Sequence, residues 1–256
     1  MAESNHSFVN AAYSPRAREY LTSVVHASGE DLDELEALCR GLTSARVLDL
    51  GCGGGHVSYR AAPHVAEVVS VDLSEPMLEV VRRTAAERGL RNIAVRQCAV
   101  EHLPFDSARF DLALCRFSAH HWHDLDAGLR EAARVLVPDG RAVFIDSIAP
   151  SSALLDSHLQ TLELLRDPSH VRNYTAPDWL EALARAGFGV VGLKTRRLRI
   201  EFSSWIARTR TPALHVDAIL SLQRGAPEEV RRRLGIEPDG TFLLDTLQVE
   251  ARRAQS

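Results

Sequence analysis

Apolar and polar positions along the chain follow two rhythms. Short apolar runs at 47–50 (VLDL), 67–72 (EVVSVD), 93–98 (IAVRQC), 110–115 (FDLALC) and 141–147 (RAVFIDS) read as strands. Between them, apolar residues recur three and four apart, which is the period of a helix. Such stretches run over 55–63, over the segment that Ser74 caps and Gly89 ends, with Pro76 in its first turn, and over 125–136. Pro138-Asp139-Gly140 reads as a turn. Ahead of this region, 16–27 and 31–42 carry helical spacing, with Leu32, Leu35 and Leu38 on one face. After residue 150 the rhythm changes. A helix is expected over 152–165, an irregular segment over 166–174, and a helix from Thr175 to Gly187. A long strand over 190–202, two helices within 203–235 and a last strand over 242–249 complete the pattern.

Strands alternating with helices imply a parallel sheet covered on both faces, and right-handed crossovers reduce its topology to a doubly wound one. The expected fold is therefore α/β, with a mostly parallel seven-stranded sheet. Residues 1–45 are expected to form a helical N-terminal segment, and 46–256 the main body. Cap elements are expected at about 151–175 and 203–235, within a single domain overall.

Composition narrows the class. The chain has 256 residues, 45% hydrophobic and 25% charged, as in an ordinary globular protein. Its net charge of −4 supplies no basic field for nucleic acid, and Arg231-Arg232-Arg233 reads as a solvated helix face. Cys39, Cys52, Cys98 and Cys115 show no paired spacing, which points to a reduced, cytoplasmic protein without a structural zinc. The first twenty residues lack the apolar core of a secretory signal, and no apolar run approaches membrane-spanning length.

Chemistry concentrates after the first strand. In VLDLGCGGGHVS, glycines stand at 51, 53, 54 and 55. Glycines so dense cost backbone entropy, so something must approach this backbone closely. Ligands of open α/β sheets bind beyond the carboxyl ends of the strands, and amides opening a helix favour an anionic group. A dinucleotide fingerprint would need glycine where His56 stands, and a phosphate loop would need a lysine that is not there. The spacing is instead Gly51-x-Gly53-x-Gly55, preceded by Asp49, with Asp72 closing the second strand. A carboxylate at Asp72 suits the two hydroxyls of a ribose.

Together these stretches resemble the class I S-adenosylmethionine-dependent methyltransferases. VLDLGCGGG is similar to their first motif, VVSVDLSEPML to the second, CAVEHLPF to the third and FDLALCRFSAHHWHD to the fourth. LREAARVLVPDGRAVFID is similar to the helix, turn and strand that follow. The nearest subgroup is the ubiquinone/menaquinone-biosynthesis type and its small bacterial relatives, which RDPSHVR and SWIARTRTP also resemble. The resemblance implies a backbone cradle for the methionine part at Gly51, Cys52, Gly53 and Gly55, with Asp49 towards its amino group. It implies Asp72 on the ribose, Leu73 and Met77 near the adenine, and Ala99 and Val100 on the adenine's other side. Many relatives carry Asp where Ala99 stands, which removes one acceptor for the adenine amino group. Arg116 and Phe117 fall where the family lines the sulfonium end.

Methyl transfer from a sulfonium is mainly positioning, with a general base helping when the acceptor is a hydroxyl or a protonated amine. His120 and His121, in the run His120-His121-Trp122-His123-Asp124, are the candidate bases; the alternative is that they order the loop. No metal is expected, because adjacent ligands on one short segment rarely converge. Magnesium-dependent relatives place acids where this chain has Cys115-Arg116, and CRFS is not the Asn/Asp-Pro-Pro-aromatic motif of base-methylating enzymes. Tyr13 and Tyr20 on the N-terminal segment 1–45, which the resemblance implies is a helical lid over the pocket, and Arg172 and Tyr174 on the irregular one are candidate acceptor contacts. Trp179 and Trp205 are expected to be packing anchors. The expected function is methyl transfer to a small-molecule acceptor at oxygen, nitrogen or carbon, yielding S-adenosylhomocysteine. Two alternatives stand: a nicotinamide-dependent oxidoreductase, which His56 disfavours, and a non-catalytic nucleoside-binding protein of the same fold.

Overall fold

Strand β1 (Arg46–Leu50) is buried from its second residue onward, and the rest of the sheet is laid out on either side of it. The structure is a computed structural model, describing residues 29–254. The helix expected over 16–27 and the candidates Tyr13 and Tyr20 lie outside the described residues.

Helix α1 (Glu30–Cys39) precedes β1. Then come α2 (His56–Ala61), β2 (Glu67–Asp72), α3 (Glu75–Glu87), β3 (Ile93–Gln97), β4 (Phe110–Arg116), α4 (Leu125–Val135) and β5 (Leu136–Ser147). The remainder is α5 (Ala153–Arg166), α6 (Ala176–Arg185), β6 (Phe188–Ile200), α7 (Phe202–Thr209), α8 (Ala213–Gly225), α9 (Glu228–Leu234) and β7 (Phe242–Arg253). The seven strands lie in the order β3-β2-β1-β4-β5-β7-β6, parallel except for the antiparallel β7 and its pairings with β5 and β6.

The period of two decides which side chain meets which layer. Leu48 and Leu50 face a core with Leu129 of α4 and Trp179 of α6, whereas Val47 faces Leu32 and Leu35 of α1 and Val57 of α2. Local signals behave as their chemistry requires. Ser74 accepts the Met77 N–H at 3.4 Å to cap α3, and Thr175 with Asp178 forms a reciprocal cap at the start of α6.

Two expectations need correction. Residues 138–140 do not separate α4 from β5. They are a bulge inside β5, where the register jumps from Leu136 opposite Phe110 to Arg141 opposite Leu112, and Asp139 takes a φ of 60°. The segment expected as two helices holds three, because Thr211-Pro212 and Ala226-Pro227 each interrupt the helical run.

That insert has a defined seat. Strand β5 pairs with β7 only as far as Ser147 opposite Thr246. Residues 242–245 of β7 continue past it, paired with 197–200 of β6. This two-stranded extension carries α7–α9 beyond the carboxyl end of the sheet. Trp205, Ile219 and Phe242 pack there against Leu159 and Leu162 of α5.

Candidate functional site

The strand order reverses at β1, whose neighbours β2 and β4 lead away in opposite directions, so a crevice is expected beyond their carboxyl ends. A cleft of about 1270 Å³, part of it open to solvent, lies there. One end is lined by Gly51, Gly53, Asp72, Leu73, Met77 and Val100, and the other by side chains of α5, α7, β6 and β7. His120 and His121 lie along it with Phe117, Ser118 and Trp122.

The glycine loop is tied to the end of β2. Asp72 accepts the Gly53 N–H on Oδ2 and the Ser74 N–H on Oδ1, each at 2.9 Å. A carboxylate has about four lone-pair positions, so these bonds leave room for a ligand hydroxyl. Burial pushes the Asp72 pKa up, and the three amides of Ser74, Gly53 and Leu73 hold it down in part. The glycines differ in purpose. Gly51 (φ 66°) leaves room for Ser118, whose Oγ a Cβ would strike, and Ser118 in turn accepts the Trp122 indole N–H at 3.2 Å. Gly53 (φ 48°) faces open space: a Cβ there meets nothing within 4 Å.

Other candidates sit apart from the cleft. Asp49 is 2% exposed and lies on the α2 side of β1, where its Oδ2 accepts the Ser58 N–H (3.1 Å) and hydroxyl (2.6 Å). Burial first, with the Asp72 charge adding, raises its pKa to about 7 against the Ser58 donors. Cys52 packs towards Tyr59 and Val81, and a Cβ at Gly55 would press on the Tyr59 ring, so neither lines the cleft. Ala99 does not line it either; its neighbours Cys98 and Val100 do. Arg116 is turned back to Asp31 of α1 (2.6 Å), its side chain 4% exposed. Phe117 takes the cleft position instead, in a left-handed conformation (φ 52°) that is costly for an aromatic residue. Arg172 and Tyr174 line a separate shallow hollow, because Asp156 of α5 draws the Arg172 guanidinium to 2.7 Å and Tyr174 packs on the core.

The two histidines are not equivalent. His120 gives its Nδ1–H to Asp146 Oδ1 at 2.6 Å and its backbone N–H to Asp146 Oδ2 at 3.0 Å. Asp146, at the end of β5 and 2% exposed, is itself held by the Ser147 N–H at 2.8 Å. Burial works against protonating His120, but the Asp146 carboxylate outweighs it, with Glu163 adding and Arg166 opposing, so the pKa is raised. His121 donates Nδ1–H to the Ser169 carbonyl (3.1 Å), and burial together with the His120 charge lowers its pKa to about 4. His170 packs on both rings, and burial drives it to about 2. The loop is fixed from below by Glu101, which accepts the His123 N–H at 2.8 Å. Among the described residues, no group of three or more His, Cys, Asp or Glu side chains is placed to hold a metal ion. No helix among them is long and apolar enough to cross a membrane.

Residues 48–144, which carry the glycine loop, β2, β4 and the histidine loop, match the family model described as a methyltransferase domain. The chain is 36% identical over 219 residues to the uncharacterised methyltransferase YcgJ of Bacillus subtilis, covering 86% of this chain and 87% of that protein. The chain belongs to the class I S-adenosylmethionine-dependent methyltransferases. The crystal structure of YcgJ superposes on this methyltransferase with a TM-score of 0.84 at 32% identity, covering 88% of this chain and 98% of that one. The methyltransferase is also 46% identical over 204 residues to the uncharacterised YafE of Escherichia coli, covering 80% of this chain and 99% of YafE. Ubiquinone/menaquinone biosynthesis C-methyltransferase UbiE of Cellvibrio japonicus is 35% identical over 123 residues, 46% of this chain and 49% of that entire protein.

Sequence reasoning did not reach the far wall of the methyltransferase cleft. Glu163, Arg166, Leu198, Ile200, Arg208 and Leu244 all line it. Trp205 lines it too while serving as a packing anchor at 2% exposure. Asp146 was also missed, although it closes a strand, as Asp72 does.

Proposed function

We propose that this protein transfers the methyl group of S-adenosylmethionine to a hydroxyl or protonated amine of a small molecule, with His120 as general base. When bound, S-adenosylmethionine supplies a methyl group already activated on a sulfonium sulfur. The chain's residues suit that group. Gly51 and Gly53 leave the loop backbone bare beside the cleft, and the open space at Gly53 is room a side chain would take. Asp72 would accept the ribose hydroxyls on the lone pairs its backbone donors leave. Leu73, Met77 and Val100 would flank the adenine with apolar surface. Asp49 would act from beneath the loop, through Ser58 and the turn, and not by direct contact.

The observation that carries the catalytic part is the Asp146–His120 pair at the cleft. With Nδ1–H committed to the carboxylate, the neutral ring presents Nε2 as its basic atom. His120 then takes the acceptor's proton, and Asp146 stabilises the imidazolium that forms. The helices α7–α9 and the segment from α5 to residue 174 would act as a cap that keeps water from the reacting atoms. The protein would work as a cytoplasmic enzyme.

The test begins with the cofactor. Calorimetry of the full chain with S-adenosylhomocysteine should show saturable binding that NADH does not displace. Mass spectrometry of small molecules that co-purify should then supply acceptors for turnover assays. Absence of binding, or clean competition by NADH, would overturn the assignment.

A further inference from the structure

Strand β4 ends at Arg116, and the chain must then turn to carry Ser118 and His120 along the cleft. Phe117 makes that turn. Its N–H still donates to the Ile145 carbonyl at 2.8 Å, as if β4 continued, but its φ of 52° is left-handed. An aromatic residue is strained in that conformation, and such strain persists only where the surroundings fix it. Phe117 lines the cleft and packs against the core that holds Leu32 and Leu35 of α1.

The preceding residue supplies a further hold. The Arg116 guanidinium carbon lies 4.9 Å from the centre of the Phe117 ring, within cation–π range. Arg116 is itself tethered. Its Nε–H donates to Asp31 Oδ2 at 2.6 Å, and the two side chains are 4% and 13% exposed. Charge-assisted bonds of that length are among the strong ones. Helix α1 is shaped to deliver this carboxylate. Asp31 stands in its first turn, where an acid suits the helix dipole. Gly29, just ahead of it, has a φ of 146°, and a Cβ there would strike Asp31 Oδ1 and lie 3.7 Å from Arg116 Nη2. A chain of contacts thus runs from α1 through Arg116 to the cleft.

We propose that Asp31 and Arg116 are positioning residues for cofactor binding, their buried ion pair holding the Phe117 ring in place along the cleft. This role rests on the methyl-transfer reading, in which Phe117 borders the bound cofactor. Arg116 acts through the ring, and Asp31 acts through Arg116. Removing Asp31 takes a counter-charge from a buried guanidinium, and a broken buried pair is costly. The guanidinium then shifts, and Phe117 loses the contact that steadies its strained backbone.

Two measurements on the full chain test this. The first is NMR of the ligand-free protein with ¹³C-labelled phenylalanine, in which Phe117→Leu identifies the Phe117 ring signal. Asp31→Ala should move that signal. Glu34→Gln is the control, because Glu34 ties α1 to Lys194 and Arg196 of β6, each at 2.5 Å, and does not touch Arg116. It should leave the signal in place. The second is calorimetry with S-adenosylhomocysteine. Asp31→Ala should weaken binding by about 2- to 30-fold, the range for residues that act on a site through intermediates. In the Phe117→Leu background the same substitution should cost less than about 2-fold more, as expected of residues coupled by contact. An unmoved Phe117 signal, an undiminished loss in the Phe117→Leu background, or the same changes from Glu34→Gln would overturn the proposal. If Asp31→Ala does not fold, Arg116→Met takes its place. Loss of fold in both would assign the pair to stability and overturn the positioning role. A wild-type chain that binds no S-adenosylhomocysteine overturns the methyl-transfer reading, and this role with it; the other outcomes leave that reading standing.

Discussion

Replacing Asp146 by asparagine separates the charge beside His120 from the packing around it. The carboxylate accepts three hydrogen bonds from N–H donors: His120 Nδ1–H (2.6 Å), the His120 backbone N–H (3.0 Å) and the Ser147 N–H (2.8 Å). Asparagine has the same shape. With its oxygen at the Oδ1 position, it keeps the bonds from Nδ1 and Ser147 and turns its NH₂ against the His120 backbone N–H. The flipped amide keeps one bond and confronts two donors, so the first arrangement is preferred. One amide left without an acceptor costs about 1–3 kcal/mol, which a domain of this size tolerates. The electrical consequence is a change of sign. In the wild-type protein, burial resists protonation of His120 and the carboxylate overcomes it, so the pKa stands above 6.5. Without the carboxylate, burial prevails and the value falls below 6.5. The wild-type fold thus gains stability from His120 that is complete below pH 6.5 and lost as pH rises through the raised value. The variant behaves oppositely: its stability is complete above 6.5 and declines as pH falls. The Tm gap between the two proteins should therefore widen from about pH 8 to about pH 5.5, while contributions common to both cancel. NMR titration of the His120 Cε1–H resonance gives the direct reading. A wild-type midpoint at or below 6.5, or one that Asp146→Asn leaves in place, would refute the reasoning.

Four further outcomes are expected. Asp72→Ala should weaken S-adenosylhomocysteine binding by about 1.5–3 kcal/mol, the worth of hydrogen bonds to a charged group, as read by calorimetry on folded variant. Gly53→Ala should fold with a left-handed penalty of about 1–2 kcal/mol and lose cofactor affinity, because its methyl enters open space. Gly51→Ala should lose about 1–3 kcal/mol more in stability than Gly53→Ala, since its methyl strikes Ser118 and unseats the bond to Trp122; urea titrations of both variants would show equal losses if the loop can yield. Asp49→Asn should raise Tm at about pH 8 but not at about pH 4. The buried acid, shifted up to about 7, costs the fold stability once the unfolded chain ionises above 3.8.

The parallel half of the fold was readable because each layer left a local trace. Buried strands appear as apolar runs, and a capping serine or a left-handed glycine marks where a helix begins or ends. The bulge in β5 escaped because Pro-Asp-Gly carries the same local chemistry whether the chain reverses or merely buckles. Only the pairing with β4 on both sides of it distinguishes the two. Similarly, the extension of β6 and β7 beyond β5 comes from relative strand length, which no single segment records.

The site divides along the same line. Gly51, Gly53 and Asp72 announce themselves, since glycines at a strand exit and an acid closing the next strand are contiguous with their elements. Asp49 misled for a reason of parity: one residue's step along β1 puts its side chain on the α2 face, away from the cleft that begins two residues later. Arg116 misled for a tertiary reason, because Asp31 lies 85 positions earlier and no spacing ties them. The two histidines could not be ranked, because what separates them is a partner on β5 for one and a carbonyl at 169 for the other. The far wall of the cleft was wholly silent. Arg166 and Arg208 look like solvated charges at the ends of amphipathic helices, and α5 and α7 bring them to one wall of the cleft only when Trp205 packs against Phe242 and Phe202. The glycine-loop end of the cleft is thus written in consecutive residues, whereas its far wall is written in packing.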